Sequence, residues 1–200
     1  MFNRQLLVTL SLLKTKSQFS FVTVIININN YHNLSLSSEN KNIIEWSLSL
    51  KKHKINKQNE EALKLFHNGI NKQKLIPNYI IYLLAIGICT DLENVKKGKE
   101  IHEMINNSED NIKNNIKIQS ALINMYMKCH DVMNAEIIFN NVKQCDIITV
   151  NSMMKGYNVN ELPEKTIQKY EQMIKNQIQP NNVTYLLIFK ACGECVRLGK

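Results

Sequence analysis

Two hundred residues suffice for one compact domain or for several short stacked units, and an apolar share of 44% is enough for a continuous core. The net charge of +8 favours a polyanionic partner or an acidic membrane surface, although Lys, Asn and Ile are abundant along the whole chain, so charge permits such a partner without requiring it. Five cysteines, an odd number with no secretory-style framework, point to reduced thiols in a reducing compartment.

Taken from the N-terminus, residues 1–41 form a basic segment set apart from the rest. Its first 38 residues hold no Asp or Glu, carry Arg4, Lys14 and Lys16, and repeat Phe2, Leu6, Leu10 and Leu13 at helical spacing among hydroxyl residues. That is the pattern of a mitochondrial presequence, which predicts a mitochondrial protein, with a cytoplasmic one as the alternative. The apolar stretch from Phe21 to Ile28 is far shorter than the roughly 20 residues that cross a bilayer, and no later stretch is long enough, so no membrane partner is expected.

From residue 42 onward the chain repeats itself. Pro77-Asn78 realigns with Pro180-Asn181, Tyr82-Leu83-Leu84 with Tyr185-Leu186-Leu187, and Cys89 with Cys192. Glu60, Ala62 and Phe66 fall on Glu164, Thr166 and Tyr170. Ser120-Ala121-Leu122-Ile123 falls on Asn151-Ser152-Met153-Met154, Tyr126 on Tyr157, and Ala135 with Phe139 on Thr166 with Tyr170. Matches at related offsets mark a repeat architecture.

The unit 147–181 reads as two short helices. Val150, Met153, Met154 and Tyr157 give the first an apolar stripe; Ile167, Tyr170 and Ile174, with Met173 beside them, give the second. Asn160-Glu161-Leu162-Pro163 separates them, with Pro suited to a first helical turn, and Pro180 closes the unit. One pair cannot bury its stripe alone. Stacked pairs can, which predicts an all-α solenoid.

No catalytic or metal centre and no cofactor is expected. Cys192-Gly-Glu-Cys195 is the one Cys-x-x-Cys, without the second ligand pair a structural zinc needs, and its match to Cys89 predicts a small buried helix residue. Cys129-His130 are neighbours in sequence at a helix end, which fixes no nucleophile–base geometry. Trp46, His102 and the Met residues fall on repeat-core positions, and Lys96, Lys97 and Lys99 form the densest basic cluster. No Gly-rich phosphate loop occurs.

The units resemble pentatricopeptide repeats. Asp146-Ile-Ile-Thr-Val-Asn-Ser-Met-Met-Lys-Gly-Tyr157 with Glu171-Gln-Met173 and Ile178-Gln-Pro-Asn181 resembles the standard repeat, as does 43–78 with Trp46-Ser47 and Glu61-Ala-Leu-Lys-Leu-Phe66. The segment 116–146, with Ala-Leu-Ile-Asn-Met-Tyr-Met-Lys-Cys129, is similar to the short variant. The segment 79–115, with Val95-Lys-Lys-Gly-Lys-Glu-Ile-His102, is similar to the long one, and 182–200 opens another long unit. This order is that of the family's mixed-length subclass. His130 stands where that subclass commonly has Gly, which implies a different cap between the two helices.

The resemblance implies a non-enzymatic protein that selects single-stranded RNA in an organelle and shields it or recruits editing or processing factors. Its first helices would line the concave face, where the fifth residue of a unit and its last residue bond one base. On this register the pairs are Ser47 with Asn78 for adenine, Ser120 with Asp146 for guanine, and Asn151 with Asn181 for a pyrimidine, read 5′ to 3′ from the N-terminal side. The second places, Ile44, Ile148 and Val183, would pack on base faces, and Lys117 would meet phosphate. Leu83 would leave the first long unit a spacer. The alternatives are a tetratricopeptide-like scaffold gripping a peptide, whose Trp-x-x-Leu-Gly-x-x-Tyr signature is missing, and the targeting arm of a longer RNA-editing enzyme.

Overall fold

The structure is a computed structural model that describes residues 38–142 and 145–199. The expected presequence lies almost wholly outside them. Among the described residues the regular structure is ten α-helices and no strand: α1 (Ser38–Ile55), α2 (Asn59–Asn71), α3 (Tyr79–Leu92), α4 (Val95–Asn106), the single turn α5 (Asp110–Lys113), α6 (Ile116–Lys128), α7 (Val132–Asn141), α8 (Ile147–Val159), α9 (Pro163–Lys175) and α10 (Asn182–Arg197). None is long and apolar enough to cross a membrane. Chain contacts define two compact units, residues 1–44 and 45–200. The described part of the first is the opening of α1, and the array of helix pairs belongs to the second.

The helices alternate between two kinds of partner. α3, α6, α8 and α10 pack on one another in succession, and each also packs on the helix just before it in the pair array, namely α2, α4, α7 and α9 respectively. The first helix of a pair is therefore covered on several sides, and its sequence is apolar nearly all round. Ile118, Leu122, Ile123, Met125, Tyr126 and Met127 of α6 are all buried. The second helices are one-sided: α2 buries Ala62, Leu63 and Phe66, and α4 buries Ile101 and Ile105. Each fully buried Leu, Ile or Met contributes about 1.5–3 kcal/mol, and the stacked layers share these residues, so the core runs from pair to pair.

Small residues set the layer spacing. Gly69 lies against the Trp46 ring, Gly98 against Met125 and Gly156 against Met127, each so close that an added Cβ would intrude. Trp46 also stacks on Phe66 at 5.9 Å between ring centroids and donates its Nε1–H to Leu65 O at 3.2 Å.

Four expectations are corrected. His130 does not impose a different cap. It adopts φ +59, the left-handed conformation that Lys57, Glu93 and Glu161 also adopt at the matching turns. Each turn is closed by the same bond spanning five residues, Gln58 N to His53 O, Asn94 N to Cys89 O, Asp131 N to Tyr126 O and Leu162 N to Tyr157 O, at 2.9–3.1 Å. His130 then bonds Asn160 Oδ1 through Nδ1 at 2.8 Å, tying two neighbouring turns together.

Cys192 is exposed although its repeat mate Cys89 is buried. α3 is covered by α4 and α6, whereas among the described residues α10 has α8 and α9 as its packing partners and no later helix over it. In the second helix of 147–181, Ile174 is 47% exposed, and Thr166 and Met173 take the buried stripe. Met133 is likewise exposed, unlike the core methionines.

His102 is held in the fold: its Nδ1 meets Tyr126 Oη at 3.0 Å, edge to face with that ring. Burial pushes the His102 imidazole below its ordinary 6.5, and burial followed by the Lys97 charge does the same at His67.

In denaturant titrations His130→Val is expected to lose about 1–2 kcal/mol, because a β-branched residue is strained at positive φ, while His130→Gly stays within about 1 kcal/mol of the parent. For pH, the folded histidines resist a proton that the unfolded chain accepts. Stability is therefore full above about 6.5 and declines as pH falls below it, and His102→Gln flattens that decline in melts recorded across the range.

Candidate functional site

The last residue of each expected unit is the N-cap of the next first helix. Asn78 Oδ1 accepts Ile81 N at 3.0 Å, Asn115 Oδ1 accepts Lys117 N at 3.0 Å, Asp146 Oδ1 accepts Thr149 N at 2.8 Å, and Asn181 Oδ1 accepts Thr184 N at 3.1 Å. Asn and Asp are chosen there because a short side-chain oxygen satisfies an orphan N–H at a helix start.

The fifth residue of the preceding first helix comes to the same place in two cases. Asn151 donates its Nδ2–H to Asn181 Oδ1 at 3.2 Å. Ser120 reaches Asp146 through Thr149: Ser120 Oγ lies 2.8 Å from Thr149 Oγ1, which donates to Asp146 Oδ1 at 2.7 Å. Thr184 plays the matching part, with Oγ1 at 2.9 Å from Asn151 Oδ1 and 3.1 Å from Asn181 Oδ1. Thr149 and Thr184 are both fully buried, while Ser120 and Asn151 retain 8% exposure, the edge of a surface rather than core.

The pair Ser47 and Asn78 differs. Both are half-buried, and the third place of α3 is the buried Ile81, which supplies no hydroxyl to bridge them. In the next unit the third place is likewise hydrocarbon, the buried Ile118 of α6, beside the cap Asn115. The two threonines were not singled out in the sequence. The signal was present in Asp146-x-x-Thr149 and Asn181-x-x-Thr184, cap residues followed three places on by a hydroxyl, and Asn181 with Thr184 forms a full capping box.

The second places stand in solvent: Ile148 is 64% exposed, Val183 52%, and Lys117 is exposed too. Ile44, in the first compact unit on α1, is half-buried. Steps of three and four residues put Ile148, Asn151 and Lys155 on one helix face, and Lys51 and Lys190 hold the place of Lys155 on α1 and α10. These three lysines are exposed and in no ion pair among the described residues. Lys155 and Lys128 also border an open cleft of about 300 Å³ shared by α3, α6 and α8.

The basic cluster read from the sequence is less available. Lys97 pairs with Glu100 at 2.8 Å and Lys99 with Asp131 at 2.9 Å. Asp91, which borders the same cleft, is held by the Lys54 ammonium from α1.

This arrangement has counterparts among known proteins. Residues 145–194 match the model of the PPR repeat family. A mitochondrial pentatricopeptide repeat-containing protein of Arabidopsis thaliana is 30% identical over 75% of this chain and 16% of its own length. A chloroplastic one from the same plant is 26% identical over 78% of this chain and 18% of its own. The chain thus spans about a fifth of the length of the curated relatives it matches. Among solved structures, maize PPR10 superposes with a TM-score of 0.62 at 15% identity, covering 78% of this chain and 23% of PPR10. A cysteine-substituted PPR10 in complex with an 18-nt RNA element superposes at 0.67, with 13% identity and 87% of this chain covered, against 25% of its own. A helix-pair array capped by the last residue of each unit, a family match on 145–194 and pentatricopeptide relatives along three quarters of the sequence agree: residues 145–194 belong to the PPR repeat family, and the chain is similar to pentatricopeptide repeat proteins along most of its length.

Proposed function

We propose that the chain binds single-stranded RNA, one base to each reading unit, as an array of units 43–78, 79–115, 116–146, 147–181 and 182–200 in the mixed-length subclass. The observation that carries this is the joining of Ser120 to Asp146 and of Asn151 to Asn181 at successive first-helix starts, beside the exposed Ile148 and Val183. Polar pairs backed by apolar side chains suit an unpaired base, which offers both an edge for hydrogen bonds and a face for packing. The RNA-bound PPR10 of the same fold and the mitochondrial and chloroplastic relatives support the RNA partner and an organellar setting.

On this reading Ser47 with Asn78 takes adenine, the unit with Leu83 passes over a base, Ser120 with Asp146 takes guanine, and Asn151 with Asn181 takes a pyrimidine, in 5′ to 3′ order. Ile44, Ile148 and Val183 pack on base faces, and Lys117 meets phosphate. The repeats act by binding and present their RNA to processing or editing factors. The N-terminal segment directs the chain to mitochondria.

The test is binding to short RNA strands carrying that order, with a duplex competitor and a salt series. Single strands should win over duplex, and affinity should fall with salt, the log–log slope being about −0.7 per phosphate contacted. Ser120→Ala and Asn151→Ala should each cost about 1–3 kcal/mol of discrimination at one base. Discrimination that survives both changes refutes the assigned readout, and an acidic peptide outcompeting every RNA favours the scaffold alternative.

A further inference from the structure

We propose that Thr149 and Thr184 are positioning residues that decide which hydrogen-bonding character, accepting or donating, each adjoining pair shows to a base. The inference rests on the RNA-binding reading and adds to it residues that touch no RNA themselves.

A threonine hydroxyl has a single hydrogen to give. At the first pair, Thr149 Oγ1 lies 2.7 Å from Asp146 Oδ1, and a carboxylate only accepts, so the threonine hydrogen is spent there. Ser120 Oγ, at 2.8 Å from the same hydroxyl, must then be the donor to it. Ser120 is left with acceptor lone pairs only, and Asp146 Oδ2 lies outside this chain of bonds and accepts as well. The pair shows two acceptors. Among the bases, guanine alone carries two neighbouring donors, N1–H and the N2 amino group, on its pairing edge.

At the second pair the same hydroxyl has the opposite result. Asn181 Oδ1 already receives Thr184 N at 3.1 Å and Asn151 Nδ2 at 3.2 Å, and Asn181 N donates to Thr184 Oγ1 at 3.1 Å. The Thr184 hydrogen goes to its nearer acceptor, Asn151 Oδ1, at 2.9 Å. What remains unspent is the second Nδ2 hydrogen of Asn151 and the Nδ2 amino group of Asn181. The pair shows donors. They match a pyrimidine edge with O2 and N3 as acceptors, and so cytosine ahead of uracil.

Burial makes the setting firm. Thr149 and Thr184 are both at 0% exposure, where a hydroxyl cannot trade a protein partner for water. Where the third place is hydrocarbon, as at Ile81 beside Asn78, no threonine sets the pair.

The experiment compares the full chain with Thr149→Val, Thr149→Ser and Thr184→Val, using RNA strands that differ at one base. Valine keeps the shape and removes the hydroxyl; serine restores it. The parent should prefer guanine over adenine at the Ser120–Asp146 base by on the order of tenfold or more. Thr149→Val should bring that ratio near one without altering the ratio at the neighbouring base, Thr149→Ser should restore it, and Thr184→Val should do the reverse. A general loss of folding would lower every ratio together, so the site-by-site pattern marks a positioning role. Ile81→Thr supplies a second arm: a hydroxyl placed on the Asn78 cap should sharpen selection at the Ser47 base. Guanine preference retained in Thr149→Val, with no gain in Ile81→Thr, overturns the inference while leaving RNA binding intact. A parent chain that binds no single-stranded RNA overturns both.

Discussion

The bond on which the rest depends is the helix cap that each unit supplies to its successor. Asn78, Asn115, Asp146 and Asn181 each close the start of a first helix with a side-chain oxygen. A cap of this kind stabilises by about 1 kcal/mol, a modest sum. Its larger effect is geometric. The residue that ends one unit is fixed to the backbone of the next, so its remaining polar atoms stand at the seam between two first helices. At Asn181, and through Thr149 at Asp146, the fifth residue of the earlier helix stands at the same seam. On the proposed RNA-binding reading, a stabilising device and a recognition device are one side chain.

That economy explains why the seam is polar although everything beneath it is not. Val150, Met153, Met154 and Tyr157 of α8 are buried within a turn or two of Asn151. An unpaired amide at such a border would cost on the order of 1–3 kcal/mol. Asn151, Asn181 and Thr184 satisfy one another, as do Ser120, Asp146 and Thr149. Ordered hydrogen-bond chains of this type hold side chains still, and a fixed side chain can discriminate.

The architecture was legible in the sequence because it depends on spacing. The Pro-Asn pairs, the stripe of Val150, Met153, Met154 and Tyr157, and Pro163 at the start of α9 follow from periodicity and backbone chemistry alone. What was missed depends on neighbours. Cys192 repeats Cys89 in sequence but not in burial, since burial belongs to the helix packed on top. His130 looked like a departure because a missing glycine suggests a missing left-handed turn. The closing bond from Asp131 N to Tyr126 O holds that turn with a histidine instead. Thr149 and Thr184 read as ordinary helix residues until their hydroxyls are seen at 2.7 Å from Asp146 Oδ1 and 2.9 Å from Asn151 Oδ1.

The glycine seats on either side of α6 bear on how far such an array is modular. Met125 of that helix fills the space left by Gly98 on α4, and Met127 fills the space left by Gly156 on α8. One helix is therefore keyed to both of its neighbours by bulky-to-small pairs that no other unit need share. Transplanting a complete unit from elsewhere would bring the wrong key to two joints at once. On the proposed readout, retargeting by exchange of single seam residues leaves the keys alone, so the alphabet is portable where the bricks that carry it are not.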